Sequence, residues 1–199
     1  MIIAASPEHI PEIVALHRVV LGDTVNARLG PPHLSQLYNT VLRSKYGQVW
    51  ISVDPSGLVV GFISISRDLY ALERQMKHEL GLKQYLQVLT EVFHHPRMAK
   101  DLIDHQRFTR YLQTQQPKIL PYILTIGVNP TNQKGGHGAQ LIQQASTTLA
   151  LEGVAEVYVD TKEHNFGAIQ FYNKMGFARL SVMYGNVLFV KKLLPRSGD

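Results

Sequence analysis

The densest chemical signal in the chain is Val128-Asn129-Pro130-Thr131-Asn132-Gln133-Lys134-Gly135-Gly136-His137-Gly138-Ala139. A strand ends at Asn129-Pro130, a turn follows, and the glycines open directly into a helix. Small residues there let consecutive backbone N–H groups approach a ligand, and a helix N-terminus adds partial positive charge. The natural occupant is a phosphate or pyrophosphate. No Walker loop is present, and the dinucleotide fingerprint fails because Gly136-x-Gly138 is followed by Ala139, Gln140 and Leu141 without a third glycine. The glycines taken alone also fit a turn that merely links strand to helix.

A second pattern lies one helix and one strand later: Asn165-x-x-Ala168-x-x-Phe171-Tyr172-x-x-x-Gly176-Phe177. Together with Val128-x-Pro130-x-x-Gln133-x-x-Gly136-x-Gly138, it resembles the two characteristic segments of the GNAT superfamily of N-acetyltransferases. Both occur in order, each at a strand–helix junction. The specific resemblance covers Ile119 to Phe177, whereas the N-terminal part agrees in element order only.

The resemblance implies acetyl-CoA as acyl donor. Backbone groups of Ile126, Gly127 and Val128 would align the pantetheine and the acyl carbonyl. Gln133, Lys134, Gly135, Gly136, His137, Gly138 and Ala139 would cradle the pyrophosphate, and Gly138→Val would cost CoA affinity with little loss of fold. Asn165 matches the asparagine that helps place the cofactor's arm. Tyr172 matches the tyrosine that gives a proton to the departing CoA sulfur, a step for which a phenol is a suitable acid. The alternative for Tyr172 is a core aromatic beside Phe171.

The general base is where the sequence departs from its relatives. Many of them carry a glutamate on the strand before the loop, but Tyr122 to Val128 has no acid. Asp160, Glu163, His164, His94 and His95 are substitutes in principle, and the base stays unassigned. No His/Asp/Glu spacing suggests a metal site.

The 52 residues from Arg67 to Lys118 read as a helical insertion between the third and fourth strands. Connections of that length are normally lids or added subdomains. Tyr70, Met76, Tyr85, His94, His95, Arg97, Arg107 and Tyr111 are candidates for an acceptor pocket there. Arg97 and Arg107 would meet an anionic group on the acceptor. A homodimer contact is the competing use of the insertion.

The remaining periodicity gives a strand at Ile2 to Ala5 and a helix opened by Ser6-Pro7-Glu8. A loop spans Asp23 to Pro32, and a second helix follows. Two strands turn at Asp54-Pro55-Ser56-Gly57, and a final hairpin turns about Tyr184-Gly185-Asn186. Pro195 to Asp199 reads as a frayed tail. The expected fold is α/β: a GNAT-like mixed, mostly antiparallel central sheet flanked by helices, in a single domain spanning residues 1–199.

Composition agrees. The 199 residues are 45% hydrophobic and 18% charged, without cysteine, which excludes disulfides, thiolate metal sites and cysteine nucleophiles. No signal peptide or membrane-length apolar run stands out, so the expectation is a soluble cytoplasmic protein with no membrane partner. A net charge of +5 suits a polyanionic ligand but names none, and nothing resembles a nucleic-acid-binding motif. The functional expectation is N-acetyl transfer to a small-molecule amine: an amino sugar, amino acid or polyamine. A non-catalytic CoA-binding protein on the same fold is the alternative.

Overall fold

The computed structural model describes residues 1–79, 96–115 and 118–193. Strand β1 (Ile2–Ala4) and a 3-10 turn at Pro7–His9 lead into α1 (Ile10–Val20). Then come α2 (Val25–Arg28), α3 (Gly30–Arg43), β2 (Gly47–Val53) and β3 (Val59–Ser66). The insertion contributes α4 (Leu69–Glu79) and α5 (Pro96–Gln115). The C-terminal part runs β4 (Tyr122–Val128), α6 (His137–Leu151), β5 (Glu156–Lys162), α7 (Phe166–Lys174), β6 (Ala178–Met183) and β7 (Asn186–Lys192).

Two expectations change. The stretch from Asp23 to Pro32 is not a plain loop. The Thr24 hydroxyl accepts a hydrogen bond from the Ala27 N–H at 3.3 Å and starts α2, and Gly30 (φ 85°) redirects the chain into α3. Pro31 and Pro32 then occupy the first turn of α3, where an N–H has no helical partner to lose. The fourth strand, which the sequence pattern places at Ile119 to Val128, begins three residues later, at Tyr122.

The sheet has seven strands in the order β1-β2-β3-β4-β5-β7-β6, and every pair is antiparallel except β4 with β5. That parallel pair is registered at one position, Tyr122 opposite Tyr158, backed by the Tyr158 N–H donating to the Pro121 carbonyl at 3.0 Å. Beyond it the strands part. The cause lies across the sheet: β3 pairs Ile65 with Ile123 but Ser64 with Thr125, so Leu124 is an extra residue in β4. Such a bulge bends its strand and sharpens the twist.

Alternating residues feed two faces. Trp50, Ile63, Ile123, Val157, Val159 and Phe189 pack under α6 and α7 on one side. On the other, α1 and α3 cover Val49, Ile51 and Phe62. Beside them, α4 and α5 bring Leu69, Tyr70, Phe108 and Leu112 over Tyr122, Tyr158 and Leu188. The insertion therefore lies over β4, β5 and β7 on the face opposite α6 and α7.

Candidate active site at the opening of the sheet

Because β4 and β5 are parallel and each is followed by a helix, the N-termini of α6 and α7 open at the same end of the sheet, where the strands diverge. One edge of β4 pairs Gly127 with Phe62 and Val128 with Gly61, while no strand pairing is registered on the β5 side beyond Tyr122. Ile126, Gly127 and Val128 therefore border an open cleft. At Gly127 an added Cβ would come within 2.5 Å of Val20 and 3.0 Å of Phe62, so this glycine lets α1 lie close to β4.

The predicted phosphate loop is more ordered than a flexible glycine run. Residues Pro130–Gly135 form a 3-10 turn started by Asn129, whose Oδ1 accepts from the Thr131 N–H at 3.2 Å. Gly136 (φ 75°) has the left-handed backbone that turns the chain into α6. Gln133, Lys134, Gly135 and Gly136 are exposed, whereas His137, Gly138 and Ala139 are half-buried. The His137 ring lies against Gly135 of the loop, where an added Cβ would come within 2.8 Å of it, while its Nδ1 lies 2.8 Å from the Ser52 hydroxyl and ties the start of α6 to β2.

One expectation about this loop needs correcting. A Cβ on Gly138 would lie 3.3 Å from the Phe171 ring, so the glycine also serves the packing of α6 against α7. Gly138→Val therefore disturbs the fold as well as the loop. Asn165 is exposed and caps α7, accepting from the Ala168 N–H at 3.1 Å.

Tyr172 sits on α7 with only 5% of its surface exposed, its ring tilted against Phe171, Phe177 and Phe189. It is thus a core aromatic by packing. Its hydroxyl is nonetheless close enough to Asp160 to feel that charge, and burial together with Asp160 pushes the phenol well above its ordinary value. The hydroxyl therefore stays protonated throughout the physiological range.

Asp160 lies two residues beyond the Tyr122–Tyr158 pairing, on the β5 face that carries Tyr158. Its Oδ1 accepts a hydrogen bond from the Tyr122 hydroxyl at 2.7 Å. Burial raises the carboxyl above the usual carboxylate range, opposed by the Tyr122 bond, His105 and Lys162. The insertion adds two further groups: Glu73 on α4, raised by burial and opposed by His105 and Lys77, and His105 itself on α5. Glu73 also acts on Tyr122.

The sequence offers Asp160 among several substitutes but gives no sign of Tyr122, Glu73 or His105. An acid directly after the apolar run Val157-Tyr158-Val159 is the one available signal. Of the other candidates, Tyr70 and Tyr111 pack with the Tyr122–Tyr158 cluster, and the rest are not gathered here. Glu163 and His164 are exposed in the turn after β5, Arg107 is exposed on α5, and Met76 packs with the α1–α3 cluster. Tyr85, His94, His95 and the Arg97 side chain lie outside the described residues, as does the tail from Pro195 to Asp199.

The sequence pattern of the acetyltransferase (GNAT) family matches residues 104–177, which takes in the loop, Asp160 and Tyr172. Over that segment the chain resembles a GNAT acetyltransferase. Solved GNAT structures share the fold over nearly the whole length. PaiA N-acetyltransferase of Thermoplasma acidophilum, solved with coenzyme A, superposes with a TM-score of 0.62 at 12% identity, covering 96% of this chain and 98% of that one. The ribosomal-protein-S18-alanine N-acetyltransferase of Escherichia coli gives a TM-score of 0.59 at 11% identity, covering 100% and 96%. In sequence, a mycothiol acetyltransferase of Streptosporangium roseum is 38% identical over 64 residues, which are 31% of this chain and 19% of that protein's length. No helix among the described residues is long and apolar enough to cross a membrane.

Proposed function

We propose that this protein is a GNAT-type, acyl-CoA-dependent N-acyltransferase that moves an acetyl group from acetyl-CoA directly to the primary amine of a small molecule. The observation that carries the reading is the opening between β4 and β5, with the N-termini of α6 and α7 at its mouth and Tyr172 between the strands and α7. Backbone N–H groups of residues 133–139 and the α6 terminus suit a pyrophosphate. Ile126, Gly127 and Val128 offer the strand edge along which the pantetheine and acyl carbonyl would run, and Asn165 stands at the start of α7 on the opposite side. Tyr172, held protonated, is the acid for the CoA thiolate. PaiA, a structural relative, was solved with coenzyme A, which agrees with acyl-CoA use.

The insertion would roof the acceptor side. Its helices α4 and α5 cover the face on which Tyr122, Tyr158 and Asp160 stand, and they turn Glu73 and His105 toward it. With two carboxylates near the opening and Arg107 out on the surface, the acceptor site favours an amine that arrives as a cation over one presented by an anionic handle. Amino sugars and polyamines fit this better than amino acids. The test is calorimetry with acetyl-CoA, followed by free-thiol release from acetyl-CoA against a panel of amines. CoA binding with no amine-dependent thiol would leave a binding module on the GNAT fold.

A further inference from the structure

Strand β4 from Tyr122 to Val128 holds neither an acid nor a histidine, so an amine acceptor finds no base there. Asp160 stands directly across the opening. It is neither fully buried nor fully exposed, it is fixed by the Tyr122 hydroxyl at 2.7 Å, and it lies near enough to Tyr172 for the two groups to interact electrostatically. In the wall that the insertion packs over Tyr122 and Tyr158, the Tyr70 hydroxyl is buried and finds no hydrogen-bond partner among the described residues, although Tyr70 is near Glu73. A polar donor left without a partner in a buried wall points to a ligand group that belongs there.

We infer that Asp160 is the general base of the acyl transfer, taking the proton from the acceptor's ammonium group, with Tyr122 as its positioning residue. The inference rests on the acyltransferase reading above. In the reaction the ammonium nitrogen gives one proton to the Asp160 carboxylate, and the freed lone pair attacks the thioester carbonyl, forming the C–N bond. The C–S bond then breaks, and the Tyr172 hydroxyl protonates the leaving sulfur. Tyr172 recovers its proton from the amide nitrogen, and Asp160 releases its own to solvent, so one proton leaves per turnover. A carboxyl raised by burial is a stronger base than an exposed aspartate, which brings it nearer to what removing an ammonium proton requires.

The groups that bear on Asp160 come from five elements: Tyr122 on β4, Tyr172 on α7, His105 on α5, Glu73 on α4 through its effect on Tyr122 and His105, and Lys162 on β5 itself. Among the described residues, only Tyr122 is hydrogen-bonded to its carboxylate through a side chain. If the Asp160–Tyr122 bond were merely structural, losing it would lower stability without reshaping the dependence of rate on pH.

The experiment compares the full-length wild type, D160N and Y122F in acetyl-CoA- and amine-dependent thiol release from acid to neutral pH, with acetyl-CoA affinity by calorimetry and folding by thermal melting. D160N should lower kcat/KM for the amine at least ~10²-fold and lose the acid limb of the profile, with acetyl-CoA affinity kept. Y122F should stay active, with its acid limb moved to higher pH because the carboxylate has lost a donor. D160N at the wild-type rate overturns the assignment. If D160N does not fold, Y122F decides: a displaced acid limb supports the base, and an unmoved one overturns it. A wild type that binds acetyl-CoA but releases no thiol with any amine fails the acyltransferase reading instead, and the two failures are distinct.

Discussion

At the scale of single residues, Tyr172 shows how one side chain serves two ends. Its ring is packed among Phe171, Phe177 and Phe189, and its hydroxyl is held protonated by burial and by Asp160. Tyr172→Phe keeps the ring and deletes only the hydroxyl that we propose as the proton donor. Turnover should therefore fall roughly 10²-fold while melting temperature and acetyl-CoA affinity hold, measured where chemistry limits the rate. A wild-type rate would return Tyr172 to the core. Gly136 tests the loop more cleanly than Gly138, because nothing lies within 4 Å of an added Cβ and only its φ of 75° resists substitution. Gly136→Ala should cost about 1–2 kcal/mol of backbone strain, or weaken acetyl-CoA binding as the turn relaxes. Calorimetry and melting together read this, and a variant unchanged in both would remove the need for the left-handed turn.

At the scale of elements, α1, α3 and β4 are joined by a buried polar chain. His17 Nδ1 lies 2.7 Å from the Tyr38 hydroxyl, which lies 3.4 Å from Thr125, which in turn lies 2.5 Å from Ser64. His17 is 1% exposed and stacked on Phe62. Tyr38→Phe strands the His17 nitrogen and should cost about 1–3 kcal/mol by denaturant titration. Burial, with a smaller contribution from His33, pushes His17 from 6.5 down to about 4. Between those values the unfolded chain takes up a proton that the folded chain refuses. Stability is then full above 6.5, drains as pH falls, and levels off below about 4. The total is about 3 kcal/mol. His17→Gln should flatten that slope relative to the wild type, whatever it does to stability at neutral pH. An equal slope in the variant would mean that the imidazole is not held neutral.

At the scale of the molecule, the opening between β4 and β5 implies that a ligand spanning it couples the two halves of the sheet. Saturating CoA at about 100 times its Kd should add about 2.7 kcal/mol of stability. For a chain of this size that means a rise in melting temperature of about 5–10 °C. Desulfo-CoA, which keeps the pyrophosphate, should reproduce most of the shift. No shift with either ligand would dismiss the cleft as the cofactor site.

The sequence by itself determined the local features: the turn after Asn129-Pro130 that opens into α6, the helix start at Ser6-Pro7-Glu8, and the hairpin turns at Asp54–Gly57 and Tyr184–Asn186. These follow from turn chemistry and capping, both of which act within a few residues. The bulge at Leu124 left no sequence signal, because it is defined only by what β3 places opposite it. The Tyr122–Asp160 hydrogen bond joins residues 38 apart in the chain, and α4 and α5 bring Glu73 and His105 to it from the insertion. That meeting was decided by the tertiary structure, since a carboxylate's neighbours across a sheet are set by strand order and register, and neither is written in the spacing of any one segment.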